Sequence, residues 1–198
     1  MNSRVILALK TINTEIRWSP FIVRIDSRSV LYMKIAIYPG SFDPVTSGHL
    51  NIIRRAATIF DKLVVCVMVN SAKHPMFDQY ERVELIRRVT QDLPNVEVDS
   101  SSDLLADYAK RRGNCVIVKG LRAGSDFENE FQMALINRKL NPDLDTMFLT
   151  AEHQFTYLSS STVKELGSYG VDLSDFLPEQ IIPDFKKRMS EIRQGGNK

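Results

Sequence analysis

The chain has 198 residues, of which 43% are hydrophobic and 25% charged, with a formal net charge of +2. That length supports one domain with a buried core, and that composition excludes disordered, fibrous and collagen-like classes. The near-balanced charge gives no electrostatic footprint for nucleic acid or a membrane surface, and no apolar run reaches the length of a membrane span.

Residues 1–32 show no clean period of either kind. The run Val5–Leu9 is too short for a leader, Lys10 ends it, and no small-residue cleavage site follows. We expect this segment to be an extension, disordered or absent from the native protein, because a second methionine, Met33, directly precedes the first convincing strand. The expected domain is then 33–198.

Residues 34–38, KIAIY, predict strand one, and the Gly/Pro-rich loop PGSFDPVTSGH follows. From Gly48 to Phe60 the spacing predicts a helix with Leu50, Ile53, Ala57 and Phe60 on one face. LVVCVMV, 63–69, is apolar without alternation, as in a parallel strand covered on both faces. Residues 79–92 read as a helix with Val83, Ile86 and Val89 inward, and 96–98 as a short strand. Residues 103–112 read as a helix opened by Ser101, Ser102 and Asp103 and closed by Arg111, Arg112 and Gly113. CVIVK, 115–119, is another strand of the doubly covered kind; 126–140 is a helix that stops before Asn141-Pro142, and TMFLT, 146–150, is the last strand. A Ser-rich loop, 156–162, leads into a helix beginning near Ser160 to Thr162, and a final helical segment runs from about Pro178 to Arg193.

Strands alternating with helices at this spacing predict an α/β fold, a doubly wound five-stranded parallel sheet with C-terminal helices. Cys66 and Cys115 lie inside apolar runs and form no C-x-x-C pair. They read as small buried hydrophobes in a reducing compartment, the cytoplasm.

In such sheets ligands bind beyond the carboxyl ends of the strands. The unusual residues of this chain follow its strands. Gly40 and Ser41 put backbone N–H groups where the chain leaves the sheet, and Thr46-Ser47-Gly48-His49 opens a helix whose free N–H groups favour an anion. His49 in a first turn is disfavoured as a cation by the helix dipole, so it reads either as a surface cap or as a group facing a phosphate. Lys73, Lys119 and Arg122 add three cations to the same edge and suit a polyphosphate, Arg122 by paired hydrogen bonds and Lys73 as a point charge. Ser159-Ser160-Ser161-Thr162 offers hydroxyls and helix-start N–H groups, or a plain cap. The P-loop pattern and the G-x-G-x-x-G fingerprint are absent, no Cys/His cluster suggests zinc, and no Ser-His-Asp arrangement or covalent nucleophile is apparent. A transfer between two bound phosphates needs alignment and charge stabilisation instead.

YPGSFDPVTSGH resembles the T-x-G-H signature of the nucleotidyltransferase superfamily. AIYPGSFDPVTSGHL, NSAKHPMF, ERVELI, VKGLRAGSDFENEFQMALINRKL and FTYLSSSTVKE are similar, in order and near spacing, to motifs of the bacterial phosphopantetheine adenylyltransferases, over about residues 34–190. The resemblance implies a Rossmann-like nucleotidyltransferase fold and adenylyl transfer from ATP to 4′-phosphopantetheine. The products are dephospho-coenzyme A and pyrophosphate, the penultimate step of coenzyme A biosynthesis, by in-line attack on the α-phosphorus. It implies Mg²⁺ carried by the ATP phosphates, with no metal ligands from the protein, and a homo-oligomer, a hexamer.

By the same resemblance, His49, Lys73 and Arg122 are the expected catalytic residues, with His49 also touching ATP. The other ATP contacts are Ser41, Phe42, Gly120, Leu121, Arg122, Glu130 and the loop Phe155, Thr156, Tyr157, Leu158, Ser159, Ser160 and Ser161. Ser41, Lys73, Leu105 and Lys119 are the expected contacts to phosphopantetheine. Ser41 replaces a frequent threonine and keeps the hydroxyl, Leu105 a frequent methionine, Phe155 a tryptophan of some members, and Asn129 a common tyrosine. Two competing readings are another nucleotidyltransferase of this fold, such as a nicotinate-mononucleotide adenylyltransferase, and a catalytically silent nucleotide-binding module. Lys73 with HPMF, and the KGLRAGSDFE block, argue against the first; intact His49, Lys73 and Arg122 argue against the second.

Overall fold

The structure is a computed structural model that describes residues 34–70, 74–122 and 124–195. The extension expected over 1–32, the boundary at Met33 and the side chain of Lys73 lie outside the described residues.

Five strands, β1 (Ile35–Gly40), β2 (Lys62–Met68), β3 (Val96–Ser101), β4 (Cys115–Leu121) and β5 (Asp145–Thr150), form one sheet in the order β3-β2-β1-β4-β5. Every neighbouring pair is parallel. The connecting helices are α1 (Ser47–Ile59), α2 (Gln79–Val89), α3 (Leu105–Arg112) and α4 (Gly124–Leu140). After β5 come a 3-10 turn (His153–Phe155), α5 (Ser160–Ser168), a second 3-10 turn (Glu179–Ile181) and α6 (Ile182–Gly195). The chain runs outward from β1 through β2 to β3, then crosses back to start β4 on the other side of β1. The strand order therefore reverses between β1 and β4, where such a sheet opens a crevice.

Alternation along the strands separates two cores. Ala36, Tyr38, Leu63, Val65, Val67 and Val118 face one cluster, which α1, α2, α5 and α6 complete. Ile37, Val64, Cys66 and Ile117 face the other, with Ala106, Tyr108 and Ala109 of α3. Cys66 is fully buried and Cys115 partly so. Burial pushes both thiols up, Cys66 to about 11. No helix among the described residues is long and apolar enough to cross a membrane.

Several boundaries move for physical reasons. β3 continues through Asp99, Ser100 and Ser101 because β2 pairs with it to the end, Met68 opposite Ser101. Its polar residues concealed this. α3 begins at Leu105, two residues later than Ser101-Ser102-Asp103 suggested. The Ser101 hydroxyl donates to Asp103, and Asp103 pairs with Arg111 instead of capping. Gly113 closes that helix at a φ of 82°, a positive angle that glycine adopts without a steric penalty. α2 ends at Val89, where the Thr90 hydroxyl donates to the Ile86 carbonyl. The buried face of α1 is Ile52, Ile53 and Ala56, with Leu50 and Ala57 only partly covered. In β4 only Ile117 and Val118 are fully covered, so the expectation of a doubly buried strand holds for its middle alone.

Candidate active site

A cavity of about 360 Å³ opens at the β1–β4 reversal. Its floor is the end of β1 and the loop after it; its walls are the first turn of α1, the end of β4 with the start of α4, and the turn into α5.

The first turn of α1 fixes the histidine. Thr46 is the N-cap, and its hydroxyl accepts the His49 N–H at 3.3 Å. The Thr46 N–H donates back to His49 Nδ1 at 3.0 Å. This reciprocal pair is a capping box in which an imidazole takes the place usually filled by a carboxylate. Because Nδ1 accepts a backbone N–H, the neutral ring carries its proton on Nε2, leaving a donor for the cavity that His49 lines. Burial first, and then the Arg122 guanidinium, push the imidazolium down to about 4 from 6.5. Of the first-turn amides, Ser47 donates to the Phe176 carbonyl, and His49 and Leu50 to Thr46. The Gly48 N–H, on the cavity wall, has no partner among the described residues. His49 is therefore both a cap and a cavity group; the two readings left open from sequence are not exclusive.

Phe42 shapes the ring's surroundings. Its side chain is buried, at a φ of 47°, edge-on to His49 with centroids 5.1 Å apart and to Tyr38 at 5.3 Å. A Cβ on Gly40 would come within 2.9 Å of the Phe42 ring, so the glycine makes room for it. Ser41 beside it is exposed, and its carbonyl accepts Arg82 Nη1 at 2.9 Å.

The cations of the cavity are paired with acids. Arg122 donates through Nε and Nη2 to Asp126 at 2.7 and 3.1 Å, and through Nη1 to the Leu158 carbonyl at 3.0 Å. Lys119 sits 3.1 Å from Glu130. Asp126 and Glu130 lie one turn apart on α4, so one helix face holds both acids over the end of β4. Their pairs are partly solvated and therefore exchangeable. Gly120 lies between the two cations, with Ile52 of α1 3.0 Å from where its Cβ would stand.

Most of the expected residues converge. Ser41, Phe42, His49, Lys119, Gly120, Arg122, Glu130, Phe155, Leu158, Ser159, Ser160 and Ser161 all line the cavity. Leu121, Thr156, Tyr157 and Leu105 do not. The Thr156 hydroxyl donates to the His153 carbonyl, Tyr157 is 62% exposed and lies edge-on to Phe176, and Leu105 packs against the core on the α3 side of the sheet. Ser159 caps α5 by accepting the Thr162 N–H, and the Ser160 hydroxyl donates to the Pro44 carbonyl.

Three groups escaped the sequence reading. Asp126 was visible only as an acid four residues after Arg122. Asp43 is buried, accepts the Met76 and Phe77 N–H groups at 2.9 Å each, and pairs with Lys164 at 2.9 Å. Its partners come from distant segments, so no local pattern marked it. Tyr38 lines the cavity from inside a strand that reads as core. Among the described residues no group of three or more His, Cys, Asp or Glu side chains is placed to hold a metal.

The family model described as cytidylyltransferase-like matches residues 37–166. A phosphopantetheine adenylyltransferase of Caldanaerobacter subterraneus subsp. tengcongensis is 55% identical over 159 residues, 78% of this chain and 99% of that protein. One of Clostridium botulinum is 51% identical over 162 residues, 82% of this chain and 99% of that protein. Among solved structures, one from Vibrio parahaemolyticus described as a nicotinate-nucleotide adenylyltransferase superposes with a TM-score of 0.59, covering 79% of this chain and 96% of its own. At 20% identity that likeness establishes the fold alone.

The His49 environment has a measurable consequence. In the unfolded chain the imidazole takes up its proton near 6.5, in the folded chain only near 4. The stability it contributes is present above pH 6.5 and is lost as pH falls through 4. A ring-proton NMR titration should show His49 with no step near 6.5, and Thr46→Ala should move its midpoint upward by opening the first turn. A midpoint near 6.5 in the unmodified protein would contradict the half-buried, neutral ring.

Proposed function

This chain belongs to the phosphopantetheine adenylyltransferases, within the cytidylyltransferase-like family, and we propose that it transfers the adenylyl group of ATP to 4′-phosphopantetheine. The products are dephospho-coenzyme A and pyrophosphate. The observation that carries this reading is the cavity at the strand reversal, where a neutral Nε2–H donor, the Gly48 amide and two exchangeable cations face one space.

A phosphate oxygen of the acceptor attacks the α-phosphorus of ATP in line. A P–O–P bond forms, the bond to the bridging oxygen of pyrophosphate breaks, and no proton has to move. Catalysis then rests on alignment and on donors aimed at the charge that gathers on the α-phosphoryl oxygens. His49 supplies a donor that stays neutral and fixed. Arg122 exchanges Asp126 for the nucleotide phosphates, and Lys119 exchanges Glu130 for the acceptor phosphate. The first-turn amides of Ser160 and Ser161, which have no partner among the described residues, extend the anion site. Ser41, Phe42, Gly120, Glu130, Phe155, Leu158 and Ser159 to Ser161, which line the cavity, bind ATP, and Ser41, Lys119 and Lys73 bind the acceptor. Mg²⁺ enters as part of the nucleotide substrate, with the ATP phosphate oxygens supplying its ligands. Two reduced thiols and the substrates suit the cytoplasm.

We further propose that a second copy of this chain covers α4 and β5, in the homo-oligomer, a hexamer, that the family resemblance implies. α4 exposes Phe131, Leu135, Ile136 and Leu140, and β5 adds Met147, each at least 40% exposed. Exposed apolar residues grouped on one helix and the strand beside it mark a partner site.

Pyrophosphate release from ATP and Mg²⁺ tests the reaction, with 4′-phosphopantetheine, with nicotinate mononucleotide and with no acceptor. Release should require phosphopantetheine, and His49→Ala should fold normally while losing at least about a hundredfold in turnover. Release only with nicotinate mononucleotide would move the acceptor; near-normal turnover of His49→Ala would remove its role. For the interface, light scattering should give a multiple of the chain mass, and Leu135→Glu should lower it. A monomeric unmodified protein would refute the interface.

A further inference from the structure

Tyr38 is the cavity residue for which neither the fold nor the reaction above accounts. Its side chain is 6% exposed, and its ring is held edge-on by Phe42. The ring is ordinary core, one of the cluster beneath α1. The hydroxyl is not. It has no hydrogen-bond partner among the described residues, and Tyr38 lines the cavity. The ring is buried but the hydroxyl opens onto the cavity, so it is a donor free to meet a ligand atom there.

Its location says which atom. Tyr38 and Gly120 lie on neighbouring strands and the same face of the sheet, and a Cβ on Gly120 would stand 3.7 Å from the hydroxyl. Gly120 is flanked by Lys119 and, two residues on, by Arg122. The hydroxyl thus overlooks the end of β4 where Lys119 and, just past the strand, Arg122 flank a glycine with no side chain to cover it. An oxygen that can meet these cations and a hydroxyl together is anionic. Burial and the nearby Glu130 carboxylate push the phenol above its ordinary range despite the opposing Arg122, so it remains a neutral donor.

We propose that the Tyr38 hydroxyl donates a hydrogen bond to a phosphate oxygen of the bound nucleotide above Gly120. This rests on the function proposed above and adds to it a ligand-contacting residue. Discrimination follows: ligand binding closes the cavity over this donor, so ligands that offer it no acceptor are disfavoured.

Tyr38→Phe keeps the ring and its packing and removes only the hydroxyl. Thermal denaturation should give an unchanged or slightly raised Tm, since no protein partner is lost. Calorimetry should show ATP bound about tenfold more weakly, the scale of one buried hydrogen bond, with adenosine affinity unchanged. Unchanged ATP affinity would overturn the proposal, as would equal losses for ATP and adenosine, or a fall in Tm with parallel losses, which would mark a packing role. The unmodified protein separates the two inferences. If it binds ATP and releases pyrophosphate while Tyr38→Phe does the same undiminished, only the tyrosine contact fails; if it binds no ATP, both fail.

Discussion

The reciprocal bond between Thr46 and His49 is the constraint from which the site is built. A helix start leaves backbone N–H groups without partners, and something must satisfy or exploit them. Here a hydroxyl takes one and an imidazole takes the N-cap's own N–H. That choice decides the chemistry of the ring. With Nδ1 accepting, the proton sits on Nε2; with burial and Arg122 opposing a second proton, the ring stays a neutral donor. The cap is typically worth about 0.5–2 kcal/mol to a helix, so the element that stabilises α1 also orients the cavity's principal donor.

The loop before that helix is held just as firmly. Asp43 is nearly inaccessible yet has three donors, two from the backbone at Met76 and Phe77 and one from Lys164. A buried carboxylate is tolerable only with such compensation. The same loop receives the Ser160 hydroxyl at Pro44, while Ser47 at the start of α1 donates to the Phe176 carbonyl. Segments far apart in the chain are thereby tied to the residues between β1 and α1. α5 cannot shift without moving the floor of the cavity, which keeps its first-turn amides in register with His49.

Charge in the cavity is arranged for exchange. Arg122 and Lys119 hold Asp126 and Glu130 at the partly solvated start of α4. Such pairs contribute little to stability, so a polyphosphate competes for the cations at modest cost. α4 has two roles. Its first turns carry the acids that hold the cations, and its later turns present Leu135 and Ile136 outward. The helix that closes the cavity is the one whose outer face lacks cover.

The alternation of apolar runs with helical spacing was enough to specify an α/β parallel sheet with its carboxyl edge rich in glycine, serine and basic residues. His49, Arg122, Lys119 and the serines at 159–161 could be assigned to that edge because each ends or follows a strand or opens a helix. What sequence could not decide depended on pairing across distance. β3 runs on through three polar residues only because β2 is beside it, and α3 starts late because Asp103 prefers Arg111. The order β3-β2-β1-β4-β5 selects which loops meet, and so leaves Leu105 on the far side of the sheet from the cavity. Local pattern can mark a residue as buried or as a cap, because those properties repeat with the period of its own helix or strand. It cannot show that Asp126 neutralises Arg122, that Asp43 gathers three donors, or that a core-like tyrosine lines the cavity. Those are properties of the space between elements, and only the tertiary structure creates it.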